Sequence, residues 1–436
     1  MPRIHNIRQI VASRLCLGCG ACAYICPERR ISLLDFVGEG IRPWMDADRC
    51  SDCDACLQVC PAFENDHSDL NSRSGVMLEL KESCGPVLEI WEGHAVDPEI
   101  RSAGASGGVI TALSLFCIER QGMYGVLQVG QISHDATANR TKLSRSRPEL
   151  LANTGSRYAP ASVCDGLGLV ETAPTPCVVV GQPSEVTALR KAERLRSALR
   201  EKVGLALSFF CAGSPARKGT LELLRRMGIA PDEVADLRYR GNGWPGTFRP
   251  ALADGRPTGS MTYESSWAFL QAYRPFSTQL FPDGLGDDAD IACGDPWYRK
   301  ISPDEPGQSL VVVRTEKGRK LLRGAIAEGY VSLAPAEPWK LLASQKHLVA
   351  KRGAVGGRIA ALRLLGLPAP RVRGFYLWKN WLRLGWKERL RSTLGTMRRV
   401  FARSYFRQLI LDPASSRPVP QPVDDHRRLQ SQSPVP

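Results

Sequence analysis

Eight cysteines fall within the first 60 residues of the chain, in two copies of one spacing. Each copy has the form C-x2-C-x2-C-x3-C-P, and matching cysteines of the two copies are 34 residues apart. The copies consist of Cys16, Cys19, Cys22 and Cys26, and of Cys50, Cys53, Cys56 and Cys60. This duplication constrains the fold strongly, because so many thiols at short spacing indicate either shared ligation or a disulfide framework.

The redox compartment decides between these alternatives. Residues 1–15 contain three arginines and no apolar run long enough for a signal peptide, and no stretch of the chain approaches the length of a membrane span. We therefore expect a cytoplasmic protein with reduced cysteines. A length of 436 residues predicts two or three domains.

The cysteine spacing indicates iron–sulfur clusters. Structural zinc sites use separated cysteine pairs, whereas an unbroken run of four cysteines ending in proline is typical of 4Fe-4S binding. In such a run three thiolates bind one cluster and the fourth reaches the neighbouring cluster. The predicted ligands are therefore Cys16, Cys19, Cys22 and Cys60 for cluster one, and Cys50, Cys53, Cys56 and Cys26 for cluster two. Residues 12–63 resemble the bacterial two-cluster 4Fe-4S ferredoxins, which implies an α+β domain.

Beyond residue 84 the chain alternates between apolar runs and helical patterns. We predict strands at residues 87–91, 125–129, 177–180, 205–210, 235–239 and 309–314. We predict helices at residues 108–120, 184–200, 215–227 and 316–328. The repeated order of strand and helix predicts an α/β domain with a largely parallel or mixed sheet.

Two strand-to-helix joints could bind phosphate. Residues 105–108 and 211–215 are small, so backbone N–H groups there could face an anion at the start of a helix. Neither joint matches a dinucleotide-binding or P-loop motif. Taken alone, each is better explained as a tight turn with a helix cap.

Read together, these joints belong to an ordered set of motifs. The set is D-P-E-I-R at 97–101, S-G-G at 106–108, S-R-Y at 156–158, G-Q-P at 181–183, F-C-A-G-S-P at 210–215, R-Y-R-G-N-G-W-P-G at 238–246 and A-D-I-A-C-G-D at 289–295. From about residue 12 to residue 330, the chain resembles the coenzyme F420 hydrogenase/dehydrogenase beta-subunit family. The resemblance implies 4Fe-4S clusters, FAD and a dissociable two-electron partner, which is coenzyme F420 in archaeal members.

Transferred onto these motifs, the resemblance predicts the cofactor-binding residues but identifies no catalytic residue. The predicted cofactor-binding residues are Ser106, Gly107, Gly108, Ser156, Tyr158, Gly181, Cys211, Gly213, Arg240 and Asp295.

The chain also departs from the family at two places. Ser184 replaces a usual cysteine, and residues 277–281 lack a usual cysteine pair. Both losses put the substrate in doubt more than the fold.

The net charge of +14 resides in one segment near the C-terminus. Residues 351–410 contain fifteen Lys or Arg and one acid, Glu388, whereas the rest of the chain is neutral. The segment reads as two or three helices rich in aromatic residues. We interpret it first as a helical appendage packed on the body, secondly as a surface that docks on the inner face of an anionic membrane, and thirdly as a nucleic-acid contact without any specific base-reading module.

These features predict an iron–sulfur flavoprotein oxidoreductase whose partner is a redox protein or a hydride carrier. The alternative is a non-catalytic electron-transfer subunit that connects a partner enzyme and retains a vestigial flavin site. The sequence does not predict the oligomeric state. The predicted division is a two-cluster ferredoxin domain at 1–63, a linker at 64–84, an α/β flavin-binding domain at 85–335, a basic helical segment at 336–410 and a disordered tail at 411–436.

Overall fold

The computed structural model describes residues 4–45, 53–302 and 304–425. The predicted ligand Cys50 and the end of the predicted tail lie outside these residues. The helices are α1 (Ile7–Ala12), α2 (Ala21–Ile25), α3 (Ala55–Gln58), α4 (Leu78–Cys84), α5 (Pro98–Ala103), α6 (Val109–Gln121), α7 (Arg147–Ala152), α8 (Leu167–Glu171), α9 (Pro183–Leu195), α10 (Ser197–Lys202), α11 (Arg217–Arg226), α12 (Tyr263–Leu270), α13 (Glu316–Ala327), α14 (Pro338–Ser344), α15 (Lys346–Leu364), α16 (Leu377–Arg383) and α17 (Trp386–Ala402).

The strands form one large sheet and several small ones. They are β1 (Ile31–Phe36), β2 (Gly40–Met45), β3 (Glu64–Asp66), β4 (Glu89–Ala95), β5 (Val126–Ile132), β6 (Asp135–Ser144), β7 (Cys177–Gly181), β8 (Val203–Phe209), β9 (Val234–Arg238), β10 (Thr247–Leu252), β11 (Met261–Thr262), β12 (Ile291–Gly294), β13 (Ser309–Val313), β14 (Val331–Pro335), β15 (Arg371–Arg373), β16 (Ser416–Pro418) and β17 (Val423–Asp424).

The large sheet is mixed, as the alternation of strands and helices predicts. Over the described residues its strand order is β14-β4-β13-β12-β8-β7-β5-β6-β17. The neighbours β12, β8, β7 and β5 run parallel, and antiparallel strands flank them. Consecutive residues of β7 contribute to different apolar cores. Val178 packs in a core with α6 and α13, whereas Val179 packs in a core with α8 and α9. Helices therefore cover both faces, because successive side chains of a strand point to opposite faces.

The parallel strands bring separate motifs together. Because β7, β8 and β12 run in the same direction, their carboxyl ends lie at one edge of the sheet. Gly181, Phe209 and Gly294 are the last residues of these strands. Crevices at the carboxyl ends of parallel strands are where open α/β sheets bind ligands. A smaller antiparallel sheet has the strand order β11-β10-β9. The motif at residues 238–246 lies in the connection between β9 and β10.

The N-terminal part combines short helices with an antiparallel pair of strands, β1 and β2. Its apolar core contains Ile10, Cys16, Cys22 and Cys60, together with Val400 of α17. The cysteine-rich part therefore shares its core with the C-terminal helices rather than forming an isolated unit.

Two predicted segments differ from the structure. The predicted linker 64–84 contains β3, which pairs in parallel with β15, and α4, whose Leu80 and Cys84 are fully buried. Residues 411–425 of the predicted disordered tail contain β16, which extends the β1–β2 sheet, and β17, which pairs with β6. Both segments are held by backbone hydrogen bonds to distant strands, which a local polar composition does not reveal.

The basic segment packs on the body, as its first interpretation predicts. Arg352 of α15 is buried and donates to Asp287 Oδ2 at 2.6 Å, and Phe375 is buried against the ring of His67. Among the described residues no helix is long and apolar enough to cross a membrane.

Candidate electron-transfer site

Cysteines from both copies of the motif lie together in the N-terminal part. Gly18 and Gly20 adopt left-handed conformations that curl the chain between Cys16 and Cys22, and α2 begins directly after Gly20. Cys60, which follows α3, is buried in the same core as Cys16 and Cys22. The structure thus brings the fourth ligand predicted for cluster one to the first cysteine run.

The electrostatics of these thiols also indicate their proximity. Burial raises the pKa of Cys19 well above its ordinary value, and the neighbouring Cys60 and Cys16 raise it further. Burial raises the pKa of Cys60 to about 12, and Cys16 adds to this effect. The thiolates of Cys19 and Cys60 are therefore unfavourable in this place without a positively charged group to bind them, and an iron cluster supplies such a charge.

The ligands of a 4Fe-4S cluster are arranged differently from those of a single metal ion. In the described part of the chain, no group of three or more Cys, His, Asp or Glu could hold one metal ion. A 4Fe-4S cubane makes a different demand, because its four thiolates bind four different irons. For cluster two, Cys26 is half-buried, Cys56 is buried and Cys53 is exposed. Its fourth predicted ligand, Cys50, lies outside the described residues.

A lysine that the sequence did not single out lies beside Cys60, a predicted ligand of cluster one. Lys191 Nζ donates to Cys60 O at 3.1 Å and to Glu64 O at 2.6 Å. It is carried by α9, which packs against α2 of the cysteine-rich part. An ammonium group is thereby fixed next to a predicted cluster ligand.

Residues 16–22, which carry three of the ligands predicted for cluster one and are here called the cluster-one loop, are hydrogen-bonded to the α/β part. The N–H of Cys164 donates to Cys19 O at 3.0 Å. Gly20 permits this approach, because a Cβ there would lie only 2.9 Å from Asp165 N. The residue before Cys164, Val163, donates its N–H to Glu185 Oε1 at 2.9 Å. Val163 and Glu185 both line the large cavity of the molecule.

That cavity has a volume of about 1190 Å³ and includes the edge where β7, β8 and β12 end. It exceeds the range of about 300–1,000 Å³ that is common for ligand pockets. Nine of the ten predicted cofactor-binding residues line it, namely Ser106, Gly108, Ser156, Tyr158, Gly181, Cys211, Gly213, Arg240 and Asp295. The structure therefore gathers motifs that are far apart in sequence.

Gly107 has a different position. Its N–H donates to Ser309 Oγ at 2.8 Å, so this group is directed to the protein and not to the cavity. A Cβ at Gly107 would lie 2.7 Å from Gly93 O. A small residue is required at position 107 because β4, β13 and the start of α6 approach one another closely there.

One end of the cavity carries aromatic rings and an ion pair. Arg240 forms two hydrogen bonds with Asp295, at 2.9 and 2.8 Å, and Trp244 Nε1 donates to the same carboxylate at 2.9 Å. The rings of Tyr263 and Trp297 lie nearly parallel, with centroids 5.7 Å apart, and the Arg240 guanidinium lies 4.2 Å from the centre of the Tyr263 ring. This end offers flat apolar surfaces next to a fixed charge pair.

Several residues that line the large cavity were not predicted from the sequence. They include Tyr263, Trp267, Trp297, Lys300, Lys346 and His347. Trp297 lies two positions after the motif at residues 289–295. This closeness to the motif could have indicated that Trp297 lines the cavity. The others come from elements without a motif, and only the fold brings them to the cavity.

The two departures from the family pattern meet at one place. Ser184, Ser277 and Thr278 line a small cavity of about 40 Å³. Its wall also contains Gly18 of the cluster-one loop, and it shares Cys211 with the large cavity. The two places where the chain departs from the family pattern therefore lie between the predicted cluster-one loop and the large cavity.

The fold and the site define an iron–sulfur domain joined to a mixed α/β domain with a large cavity. Comparison with protein families agrees. Residues 15–63 match the 4Fe-4S dicluster domain, and residues 90–167 and 176–338 match the N-terminal and the C-terminal family models of the coenzyme F420 hydrogenase/dehydrogenase beta subunit, respectively. The chain belongs to the coenzyme F420 hydrogenase/dehydrogenase beta-subunit family, as the motifs predict, and its dicluster domain makes it an iron–sulfur protein of an electron-transferring family.

Individual relatives are distant. The chain is 22% identical over 302 residues to the coenzyme F420 hydrogenase subunit beta of Methanothermobacter thermautotrophicus, covering 66% of this chain and 99% of the relative. It is 24% identical over 255 residues to the F420-dependent formate dehydrogenase 1 subunit beta of Methanococcus maripaludis, covering 57% of this chain and 62% of the relative. A chain of the F420-reducing [NiFe] hydrogenase complex from Methanosarcina barkeri has a similar fold, with a TM-score of 0.51 and 20% identity over 64% of this chain and 94% of that chain.

Proposed function

We propose that the protein is an iron–sulfur flavoprotein oxidoreductase. It passes electrons between two 4Fe-4S clusters, FAD in the large cavity and a two-electron carrier or substrate. The observation that carries the proposal is the direct hydrogen bond between Cys164 N and Cys19 O, because it joins a predicted cluster ligand to the residue next to Val163 of the cavity wall. A short connection of this kind suits electron transfer between the two parts.

The residues around the cavity fit a flavin dinucleotide. The start of α6, with Ser106 and Gly108, supplies a helix N-terminus for a phosphate, and the Tyr263 and Trp297 rings supply flat surfaces for stacking. A bound flavin supplies exchange between two-electron hydride chemistry and one-electron transfer. The cavity volume of about 1190 Å³ leaves space for a second molecule beside it.

Glu185 is the group of the chain that would hold a proton beside the cavity. Burial raises the pKa of its carboxyl to about 7, although two N–H groups, of Val163 and Gln182, donate to it and act in the opposite direction. A carboxyl with a pKa near neutrality can take up or release a proton at working pH. Hydride chemistry requires such an exchange when single electrons leave by another route.

The relatives' names suggest the carrier and the partner. Coenzyme F420 appears in the names of both curated relatives, and both are named as subunits. Basic residues at the cavity, among them Lys300 and Lys346, suit an anionic carrier. We infer that this chain works with a redox partner protein in the cytoplasm and with coenzyme F420 or another hydride carrier.

A second candidate function is a non-catalytic electron-transfer subunit with a vestigial flavin site. The small cavity favours it, because its wall contains Ser184, where the family usually has a cysteine, and part of the 277–281 run, which lacks the usual cysteine pair. In that case the clusters would connect a partner enzyme directly, and the large cavity would hold no flavin.

The absorption spectrum of the anaerobically purified protein separates the two functions. The first function predicts a flavin shoulder beside the broad iron–sulfur band, and bleaching of both by one reduced carrier. NADH, NADPH, reduced ferredoxin and reduced coenzyme F420 are to be compared. A broad band alone, with no flavin released on denaturation even after incubation with FAD, would support the second function and contradict the first.

A further inference from the structure

Helix α17 presents its large apolar side chains outward. Trp386, Leu390, Leu394 and Phe401 are 63%, 47%, 58% and 61% exposed, respectively. Their spacing places them along one line of the helix. The face that α17 buries contains the smaller residues Ser392, Thr396 and Val400. We call the four outward side chains the apolar stripe. A globular helix usually has the reverse arrangement.

Nearby residues enlarge this apolar surface. Phe406, 48% exposed, contacts Phe401 with ring centroids 5.2 Å apart. Helix α16 exposes Trp378 and Leu382 as well. An exposed group of several large apolar side chains marks an interaction site.

Specific contacts fix the orientation of α17. Trp381 Nε1 of α16 donates to Ser392 Oγ at 2.9 Å, and Arg399 donates to Gln279 Oε1 at 2.8 Å. A Cβ at Gly357 of α15 would lie 2.4 Å from Ser392 Oγ, so α15 and α17 approach closely. The helix therefore cannot rotate its apolar stripe inward without losing these contacts.

The charges beside the stripe have one sign. Lys387, Arg391 and Arg398 are carried by α17 next to the stripe by helical spacing. Glu388 is the one acid among residues 351–410, and it pairs with Arg391 at 3.2 Å. An occupant of this surface must therefore accept both apolar side chains and several cations.

We propose that the apolar stripe and its basic flank dock the protein on an anionic lipid bilayer, with the stripe in the headgroup region. Tryptophan and arginine on one amphipathic helix suit this zone, where an apolar body meets negative headgroups. A second copy of the chain fits less well, because two such faces would bring like charges together. This proposal does not depend on the redox function.

Vesicle sedimentation with the full, cluster-loaded chain tests the proposal. The chain is mixed with vesicles of phosphatidylcholine alone and with vesicles that also contain phosphatidylglycerol. We expect sedimentation with the anionic vesicles only, weakened by salt, with a blue shift of tryptophan fluorescence. The double variant Leu394→Ser, Phe401→Ser should weaken binding by about tenfold or more, because it removes buried apolar area.

A matched double variant controls for the loss of apolar surface in general. Leu78→Ser, Leu364→Ser removes two residues that are each 76% exposed and lie outside the stripe, and it should bind like the wild type. The triple variant Lys387→Gln, Arg391→Gln, Arg398→Gln should lose most of the salt dependence. Iron content and far-ultraviolet spectra verify that each variant folds.

Three results would overturn the proposal. The first is no sedimentation with anionic vesicles above the level with neutral ones. The second is equal binding by the stripe variant and its control. The third is self-association of the wild type that the stripe variant abolishes while neither protein binds vesicles, which would assign the face to a second copy instead.

Discussion

His67 Nε2 lies 2.9 Å from Asp288 Oδ2, inside a buried group of charges that joins three separate parts of the chain. His67 comes from the predicted linker, Asp288 and its neighbour Asp287 come from the α/β body, and Arg352, which pairs with Asp287 at 2.6 Å, comes from the basic segment. Thr187 also donates to Asp288 Oδ2. Each charge has an opposite partner, which is the condition for burying charges at tolerable cost.

The pH dependence of stability should report on His67. Burial by itself lowers the pKa of His67, but the carboxylates of Asp288 and Asp287 outweigh burial and raise the pKa to about 9 from 6.5. Because the folded value lies above the unfolded one, the contribution is fully present below about pH 6.5 and is lost as pH rises through 9. A shift of this size corresponds to about 3 kcal/mol.

Thermal unfolding of His67→Gln and the wild type between about pH 6 and pH 10 measures this contribution. The variant should melt well below the wild type at low pH, and the difference should shrink towards the upper end of the range. His94→Gln changes a half-buried histidine outside the charge group and serves as the control. A difference that stays constant over the pH range would show that His67 is not protonated in the folded protein.

Cys60→Ala should remove cluster one even though Cys60 belongs to the second cysteine run. The reason is the position of Cys60 in one core with Cys16 and Cys22. After anaerobic reconstitution, iron should fall from about eight to about four atoms per chain. Cys84→Ala, at a fully buried cysteine outside the motifs, should keep the wild-type iron content. About four irons in the wild type would refute the two-cluster prediction.

Lys191→Met should lower the reduction potential of cluster one. Lys191 Nζ is fixed on Cys60 O, so its positive charge favours the more negative, reduced cluster. Loss of the charge should lower the reduction potential of cluster one by roughly 30–60 mV. For one electron, about 59 mV corresponds to a tenfold change in the equilibrium constant. Redox titration followed by electron paramagnetic resonance measures the shift. Arg194→Gln, on the exposed side of the same helix, is the control, and equal potentials in both variants would contradict the placement of Lys191.

Ala105→Glu should expel the flavin from the large cavity. Ala105 lines the cavity just before α6, so a carboxylate there would repel a phosphate at the helix start. Ala105→Gln has the same size without the charge and should retain more flavin. Flavin released by denaturation is measured for both variants. Gly107 is unsuitable for this test, because its replacement would force Gly93 O away and disturb the fold. Equal flavin content in the two Ala105 variants would contradict the placement of the phosphate.

The sequence by itself determined the local features. The cysteine spacing indicated the dicluster domain, since its ligands are close in sequence, and a family model confirms this domain. The ten predicted strands and helices of the α/β part correspond to elements of the structure, although the helix at 184–200 is divided into α9 and α10 at Arg196. Apolar periodicity reveals such elements because it depends only on neighbouring residues.

The tertiary structure alone decided which distant residues meet. β6 and β14 were not predicted, since their side chains are partly polar and their pairing partners stabilise them. The contact of Tyr263 with Trp297 and the burial of His67 with Asp288 depend on chain segments far apart in sequence. The composition of residues 386–402 shows an amphipathic helix, but only packing determines that Ser392 faces inward and Leu394 outward. Periodicity fixes the faces of a helix, and the space left by its neighbours decides which face is buried.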